Sequence, residues 1–195
     1  MVRPMGWQLF LPKHAPCLTA REYATYLAAP VIARRSRVPS LEQIWGGRLA
    51  RRLVPTPTGR HALWAFLELA GLREGDEVLI AAYNFYVVVQ LLVQRKLVPV
   101  FVDIDPETLC LDPDDLARKR SSKSRLVIVT HMFGHPADLD RTARLCQEHG
   151  LLLFEDCALA AGTVCGTQHV GQAGDGALFS FGIYKIVNAF GGGML

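Results

Sequence analysis

From about residue 57 onward, the apolar positions switch back and forth between a helical period and a strand period. Ala62, Leu63, Ala65, Phe66, Leu69 and Ala70 recur at helical spacing, which predicts a first helix over residues 61–71 with Gly71 as its stop. Glu77–Ala81 reads as a short apolar strand, residues 85–94 as a buried helix, and residues 97–102 as a β-branched strand ending at Asp103, so the three make a βαβ unit. Asp112, Pro113 and Asp115 offer an N-cap, a proline at the first helical position and an acid at the third, so another helix begins there. A strand at 126–130, a helix at 138–149 stopped by Gly150, and strands at 151–154 and 177–181 complete the pattern. Strands apolar throughout belong to a parallel sheet covered on both faces. The expected fold class is therefore α/β, a three-layer sandwich with a mainly parallel sheet, and a ligand should lie outside the carboxyl ends of its strands.

Composition agrees with a folded domain. Half of the 195 residues are hydrophobic and a fifth are charged, enough apolar side chain for a sizeable core and too little net charge (+3) for a disordered chain. The longest uncharged stretch, residues 78–94, is shorter than a spanning helix needs and contains Asn84 and Gln90, so no membrane span is expected. No secretory signal is visible. Five scattered cysteines (Cys17, Cys110, Cys146, Cys157, Cys165) without a CxxC pair fit free thiols in a reducing compartment, which points to the cytoplasm.

Charge divides the chain. Residues 1–60 hold ten Lys or Arg against two acids, whereas residues 61–195 hold eleven against sixteen. Residues 1–40 are read as a basic arm, solvated or docked on a partner subunit, and residues 41–195 as the folded domain. No aromatic-interleaved RNA motif or recognition helix accompanies the basic residues, so nucleic acid is not an expected partner.

The strand ends carry the chemistry. Asp156 comes just after the apolar strand 151–154 and Lys185 just after 177–181, so both should open onto one crevice. A carboxylate that holds a heteroaromatic nitrogen protonated and a lysine that condenses with an aldehyde are the two groups that pyridoxal 5'-phosphate (PLP) requires. Its phosphate needs a cup, and Pro57-Thr58-Gly59-Arg60-His61 leads straight into the first helix, where free N–H groups and the helix dipole favour an anion. Ser180 adds a hydroxyl five residues before Lys185.

These residues, in this order, resemble a known family. The segments Thr58-Gly59-Arg60-His61-Ala62-Leu63, Gly75-Asp76-Glu77-Val78, Pro99-Val100-Phe101-Val102-Asp103-Ile104-Asp105, Gly134-His135-Pro136-Ala137-Asp138, Glu155-Asp156 and Ser180-Phe181 followed by Lys185 are similar to the DegT/DnrJ-type aminotransferases. Those are PLP enzymes of fold type I that usually act on nucleotide-linked keto sugars. The resemblance implies the large domain of an aspartate aminotransferase-like fold, here incomplete and without a C-terminal small domain. It implies that Lys185 carries the cofactor and shuttles protons, that Asp156 holds the pyridinium and that Phe85 stacks on the ring. Gly59, the backbone N–H groups of Arg60 and His61, and Ser180 would hold the phosphate. It further implies amino transfer, from glutamate as donor, to a keto-sugar acceptor by a homodimer whose neighbouring subunit adds groups to the site.

Two departures stand out. Three and five residues past the aspartate the family usually carries Gln and His, whereas this chain has Leu159 and Ala161. The chain also stops at Gly191-Gly192-Gly193-Met194-Leu195, which reads as a cut within a strand that leaves an unpaired apolar edge. They keep two alternatives open, a non-catalytic PLP binder or regulatory relative, and a PLP-dependent dehydratase or lyase. No metal site is expected. His131 and His135 have i, i+4 spacing, but Gly134 and Pro136 break the helix that would align them, and Asp103 and Asp105 read as a turn before Pro106. Cys157 reads as a small buried thiol with no histidine placed nearby by sequence, and residues 191–193 as a close-packed or flexible turn.

Overall fold

The computed structural model describes residues 43, 46, 47, 49, 52–187, 189 and 191–195, which fall in the compact unit Leu41–Leu195. The expected basic arm lies outside the described residues, as does Cys17. In chain order the elements are β1 (Pro55–Thr56), α1 (Gly59–Leu69), β2 (Glu77–Ala81), α2 (Tyr86–Gln94), β3 (Val98–Val102), α3 (Pro113–Lys119), β4 (Ser124–Thr130), α4 (Leu139–His149), β5 (Leu152–Asp156), the hairpin β6–β7 (Val164–Cys165, Gln168–His169), β8 (Gly176–Ser180) and β9 (Gly193–Met194).

Seven strands form one sheet in the order β1-β9-β8-β5-β4-β2-β3. The run from β8 to β3 is parallel, and β9 is antiparallel to both β8 and β1. Alternation along the central strands sorts side chains onto two faces. Val78, Ile80, Leu126, Ile128 and Phe154 pack with α1 and α2 through Leu63, Phe66, Val88 and Leu92. Leu79, Val127, Val129 and Leu153 pack on the opposite side with Leu116 of α3 and Leu139 and Cys146 of α4. This is the three-layer α/β sandwich, and the fully apolar strands are those buried on both faces.

Helix ends follow local chemistry. The Thr58 side chain caps α1, Asp112 caps α3 ahead of Pro113, and Asp138 caps α4, which ends on Gly150 in the left-handed conformation (φ 64°). Several boundaries move. The first helix begins at Gly59, two residues earlier than the apolar period suggests, because Thr58 rather than the apolar stripe sets its start. Helix α2 is half-exposed instead of buried: Val87, Val88 and Leu92 face the core, whereas Tyr86 and Val93 are exposed. Strand β5 continues through Glu155 and Asp156, because Thr130 of β4 and Leu178 of β8 still pair beside Asp156.

The expected unpaired edge at the last residues is not found. Strand β9 pairs with β8 on one side and β1 on the other, and Met194 is buried. Gly193 has to be glycine there, since a Cβ would come within 2.5 Å of the Gly59 nitrogen and 2.6 Å of the Thr58 carbonyl carbon. This close approach presses β9 against the start of α1 and the Phe179 carbonyl of β8. Among the described residues no helix is long and apolar enough to cross a membrane.

Candidate functional site

The carboxyl ends of β5 and β8, the N-terminus of α1 and the start of α2 enclose a cavity of about 370 Å³. Its lining includes Gly59, Arg60, Phe85, Asp156, Ser180 and Lys185, so six of the seven residues expected from the sequence meet in one place. Leu63, Val87, Val88, Leu91 and Leu178 supply apolar wall. His61 is the exception. It is exposed, its Nδ1 lies 2.9 Å from the Thr58 hydroxyl, and its backbone N–H donates to the same oxygen at 3.4 Å. That N–H is thus engaged in capping α1. The turn Thr58-Gly59-Arg60 lies directly across from Ser180: a Cβ on Gly59 would touch Ser180 at 3.0 Å, so the glycine keeps the two sides close.

Asp156 ends β5 on the face shared with α1 and α2. Its Oδ1 accepts the N–H of Ala158 at 3.0 Å, and the side chain is buried. Burial pushes the carboxyl up from its usual range, against the lowering by the Ala158 hydrogen bond and by the nearby Lys185 charge. Lys185 follows β8 in a turn in which its N–H donates to the Gly182 carbonyl at 3.0 Å. Burial pulls its ammonium below the usual lysine range, and the Asp156 charge opposes this. An amine that is neutral at lower pH is a better nucleophile and base at neutral pH. The pair therefore has a carboxylate and a lysine within electrostatic reach across one apolar-walled cavity.

Phe85 is placed by its loop. As the residue before α2 it leaves half its surface exposed, and its N–H donates to Asn84 Oδ1 at 2.7 Å. Asn84 Nδ2 in turn donates to Thr130 Oγ1 at the end of β4, which ties the loop to the sheet. Thr58 of the expected phosphate turn also lines the cavity, as do Ala158 and Tyr184, which were not singled out from the sequence. Tyr184 carried no signal beyond standing next to Lys185.

Leu159 and Ala161 do not line the cavity; Leu159 packs instead against the apolar layer that includes Val129 and Met132. The residue before the aspartate is more engaged than expected. Glu155 points to the other face of β5, fully buried, beside His131 and Cys157, with candidate ligand atoms of the three within 4.8 Å of one another. This corrects the expectation that no histidine stands near Cys157. The cluster is nevertheless saturated: His131 Nε2 meets Glu155 at 3.1 Å, and Nδ1 accepts the N–H of Ala137 at 3.1 Å. Neither nitrogen is left for an ion or for deprotonating the thiol, and burial pushes the Cys157 thiol well above its usual range. Asp103 and Asp105 each accept a nearby backbone N–H, of Ile104 and Glu107, as turn carboxylates do.

Residues 50–195 match the model of the DegT/DnrJ/EryC1/StrS aminotransferase family. The chain belongs to that family. Among curated relatives it is 36% identical over 137 residues to GDP-perosamine synthase of Vibrio cholerae, a match covering 70% of this chain and 37% of that protein. It is also 36% identical over 140 residues to the L-glutamine:2-deoxy-scyllo-inosose aminotransferase of Streptomyces kanamyceticus, covering 72% and 33%. The crystal structure of the aminotransferase TlmJ from Streptoalloteichus hindustanus superposes with a TM-score of 0.82 at 32% identity, over 92% of this chain and 50% of that one. The chain thus spans about a third to a half of the length of these proteins. PLP is the cofactor of this family of aminotransferases, and the fold is that of fold type I.

Proposed function

We propose that this protein contributes the PLP-binding large domain of an aminotransferase that moves an amino group from glutamate to a nucleotide-linked keto sugar, with residues 41–195 forming part of that domain. The observation that carries the reading is the shared cavity of Asp156 and Lys185, a buried carboxylate and a lysine softened by burial, at the carboxyl ends of β5 and β8.

The residues suit the cofactor. Asp156 has one oxygen held by Ala158, and no other partner for the second is found among the described residues, so a buried acceptor is available for a protonated ring nitrogen. That partner would also relieve the cost of burying the carboxylate. Phe85 and the apolar wall suit an aromatic ring, while the α1 N-terminus with Ser180 suits a phosphate. When bound, PLP withdraws electrons from the carbon alpha to the amino nitrogen, and this is the chemistry of amine transfer. Asp156 would keep the ring nitrogen protonated by its charge. Lys185 would hold the cofactor at its aldehyde end and, as a free amine, would move a proton at the substrate's alpha carbon.

The assembly is a homodimer in this reading. Around the cavity Phe85, Tyr86, Tyr184 and Ile186 are exposed, and an exposed Tyr83–Phe133 ring pair lies at the adjoining strand ends with centroids 6.3 Å apart; such a rim favours a second subunit. Cys110, Cys146 and Cys157 are buried free thiols, in keeping with a cytoplasmic protein.

The test is incubation with PLP, glutamate and nucleotide-linked keto sugars, followed by mass spectrometry. An amino sugar and 2-oxoglutarate formed together are expected. Cofactor binding without transfer would overturn the reading in favour of a regulatory relative, and loss of water without gain of an amine in favour of a dehydratase.

A further inference from the structure

Glu155 is a fully buried carboxylate with an unusual number of donors for a residue outside the cavity. Its Oε2 accepts the Gly171 N–H at 2.7 Å and faces His131 Nε2 at 3.1 Å; its Oε1 accepts the N–H groups of Ala173 and Gly174, each at 2.8 Å. Gly171 sits at φ 92°, and a Cβ there would strike the Phe179 ring at 2.7 Å, so this loop lies hard against β8. His131 is equally buried. Because the Ala137 N–H donates to Nδ1, that nitrogen carries no proton, and the imidazole is neutral with its hydrogen on Nε2, donated to Glu155. The backbone N–H of His131 donates to the Asp156 carbonyl at 3.1 Å.

The connectivity brackets Asp156. On one side, the side chain of its predecessor grips the 171–174 loop, which feeds directly into β8 and so toward Ser180 and Lys185. On the other, the same side chain grips His131, whose backbone holds the carbonyl of Asp156 itself. We propose that Glu155 and His131 are a positioning pair, which sets the end of β5 against β8 and thereby fixes the separation between the carboxylate at 156 and the lysine at 185 that bind the two ends of one cofactor. The pair touches neither cofactor nor substrate; it acts through Asp156 and β8. This inference rests on the proposed PLP site.

The experiment compares His131→Leu, which cannot donate to Glu155, with His131→Gln, whose amide N–H can. Each full-length protein is titrated with PLP, and the cofactor's visible absorption band is followed against pH, while melting of the cofactor-free protein is recorded separately. For His131→Leu the PLP dissociation constant is expected to rise on the order of tenfold to a hundredfold, as for a displacement of roughly 1 Å at a binding group. The pH midpoint of the band is expected to move as well, because Asp156 no longer sits correctly at the ring nitrogen. His131→Gln should return both toward the wild-type values. If His131→Leu melts lower but keeps the wild-type midpoint and affinity, the pair is only structural and the proposal is overturned. Should His131→Leu not fold, Glu155→Gln takes its place. It keeps the volume, turns an amide toward two of the four donors, and carries the same two expectations; wild-type midpoint and affinity in that variant would likewise overturn the proposal. Wild-type protein with no visible band would instead refute the PLP reading, and this inference with it.

Discussion

Glu155 and Asp156 are neighbours in sequence, both buried, and opposite in character. Alternation along β5 sends Glu155 to the α3–α4 side and Asp156 to the cavity side. Burial pushes Glu155 up, but its bonds to His131, Gly171 and Gly174 outweigh that and hold its carboxyl below the usual range. Among the described residues Asp156 has the Ala158 hydrogen bond and a nearby lysine to offset burial, and there burial prevails. One carboxylate is complete within the protein. The other leaves an oxygen open to the cavity side, as the proposed PLP site requires.

Single substitutions on the two faces of β5 should have unlike effects. The largest effect belongs to the cavity side: Lys185→Ala should abolish covalent attachment of PLP altogether, read from the visible spectrum. Next, Asp156→Asn should lower turnover by about 10²-fold or more, since a neutral amide cannot hold the ring nitrogen protonated; steady-state kinetics check it. On the other face, Glu155→Gln should destabilise the cofactor-free protein by roughly 3 kcal/mol, as when one partner of a buried charged network is removed. Because the folded-state value of Glu155 is lowered, its contribution is fully present above the usual carboxylate range and lost as pH falls through the lowered value. The melting difference between variant and wild type should therefore shrink in acid.

Asp156→Asn should behave oppositely in the absence of cofactor. Its folded-state value is raised, so the penalty of ionising it is absent below the usual range and sets in as pH climbs through the raised value. The cofactor-free variant should be about 1–2 kcal/mol more stable than wild type at neutral pH, and equal to it in acid. Opposite melting shifts from two adjacent carboxylates would sharpen the contrast; shifts of the same sign would remove it. Smallest is Thr58→Ala, expected to cost about 1 kcal/mol by uncapping α1.

How far the sequence reached follows from the range of the interactions. Strands β2, β4 and β8 and helix α4 were readable because their apolar period and caps are local, as Asp138 and Gly150 illustrate. The two-residue strand β1 was not, and β9 was legible as a strand but not in its pairing, since both are held by the pairing of Pro55–Thr56 with Gly193–Met194, far apart in the chain. The end of β5 was placed too early because two acids after an apolar run look like a strand's exit, whereas pairing on both sides continues it. Asp156, Ser180, Lys185 and the turn at 57–61 were found through a spaced set of chemical types, and Phe85 through the family resemblance. The role of Glu155 was hidden, because its partners lie 16 to 24 residues away and three of them are backbone N–H groups, which leave no mark on side-chain identity.

The central claim, that one cofactor is held at Lys185 with Asp156 at its nitrogen, is tested most directly by adding PLP, reducing with borohydride and locating the adduct by peptide mass spectrometry. A single pyridoxyl group on Lys185 is expected, formed in wild type and much depleted in Asp156→Ala. An adduct spread over surface lysines, or one on Lys185 that forms equally well without Asp156, would contradict it.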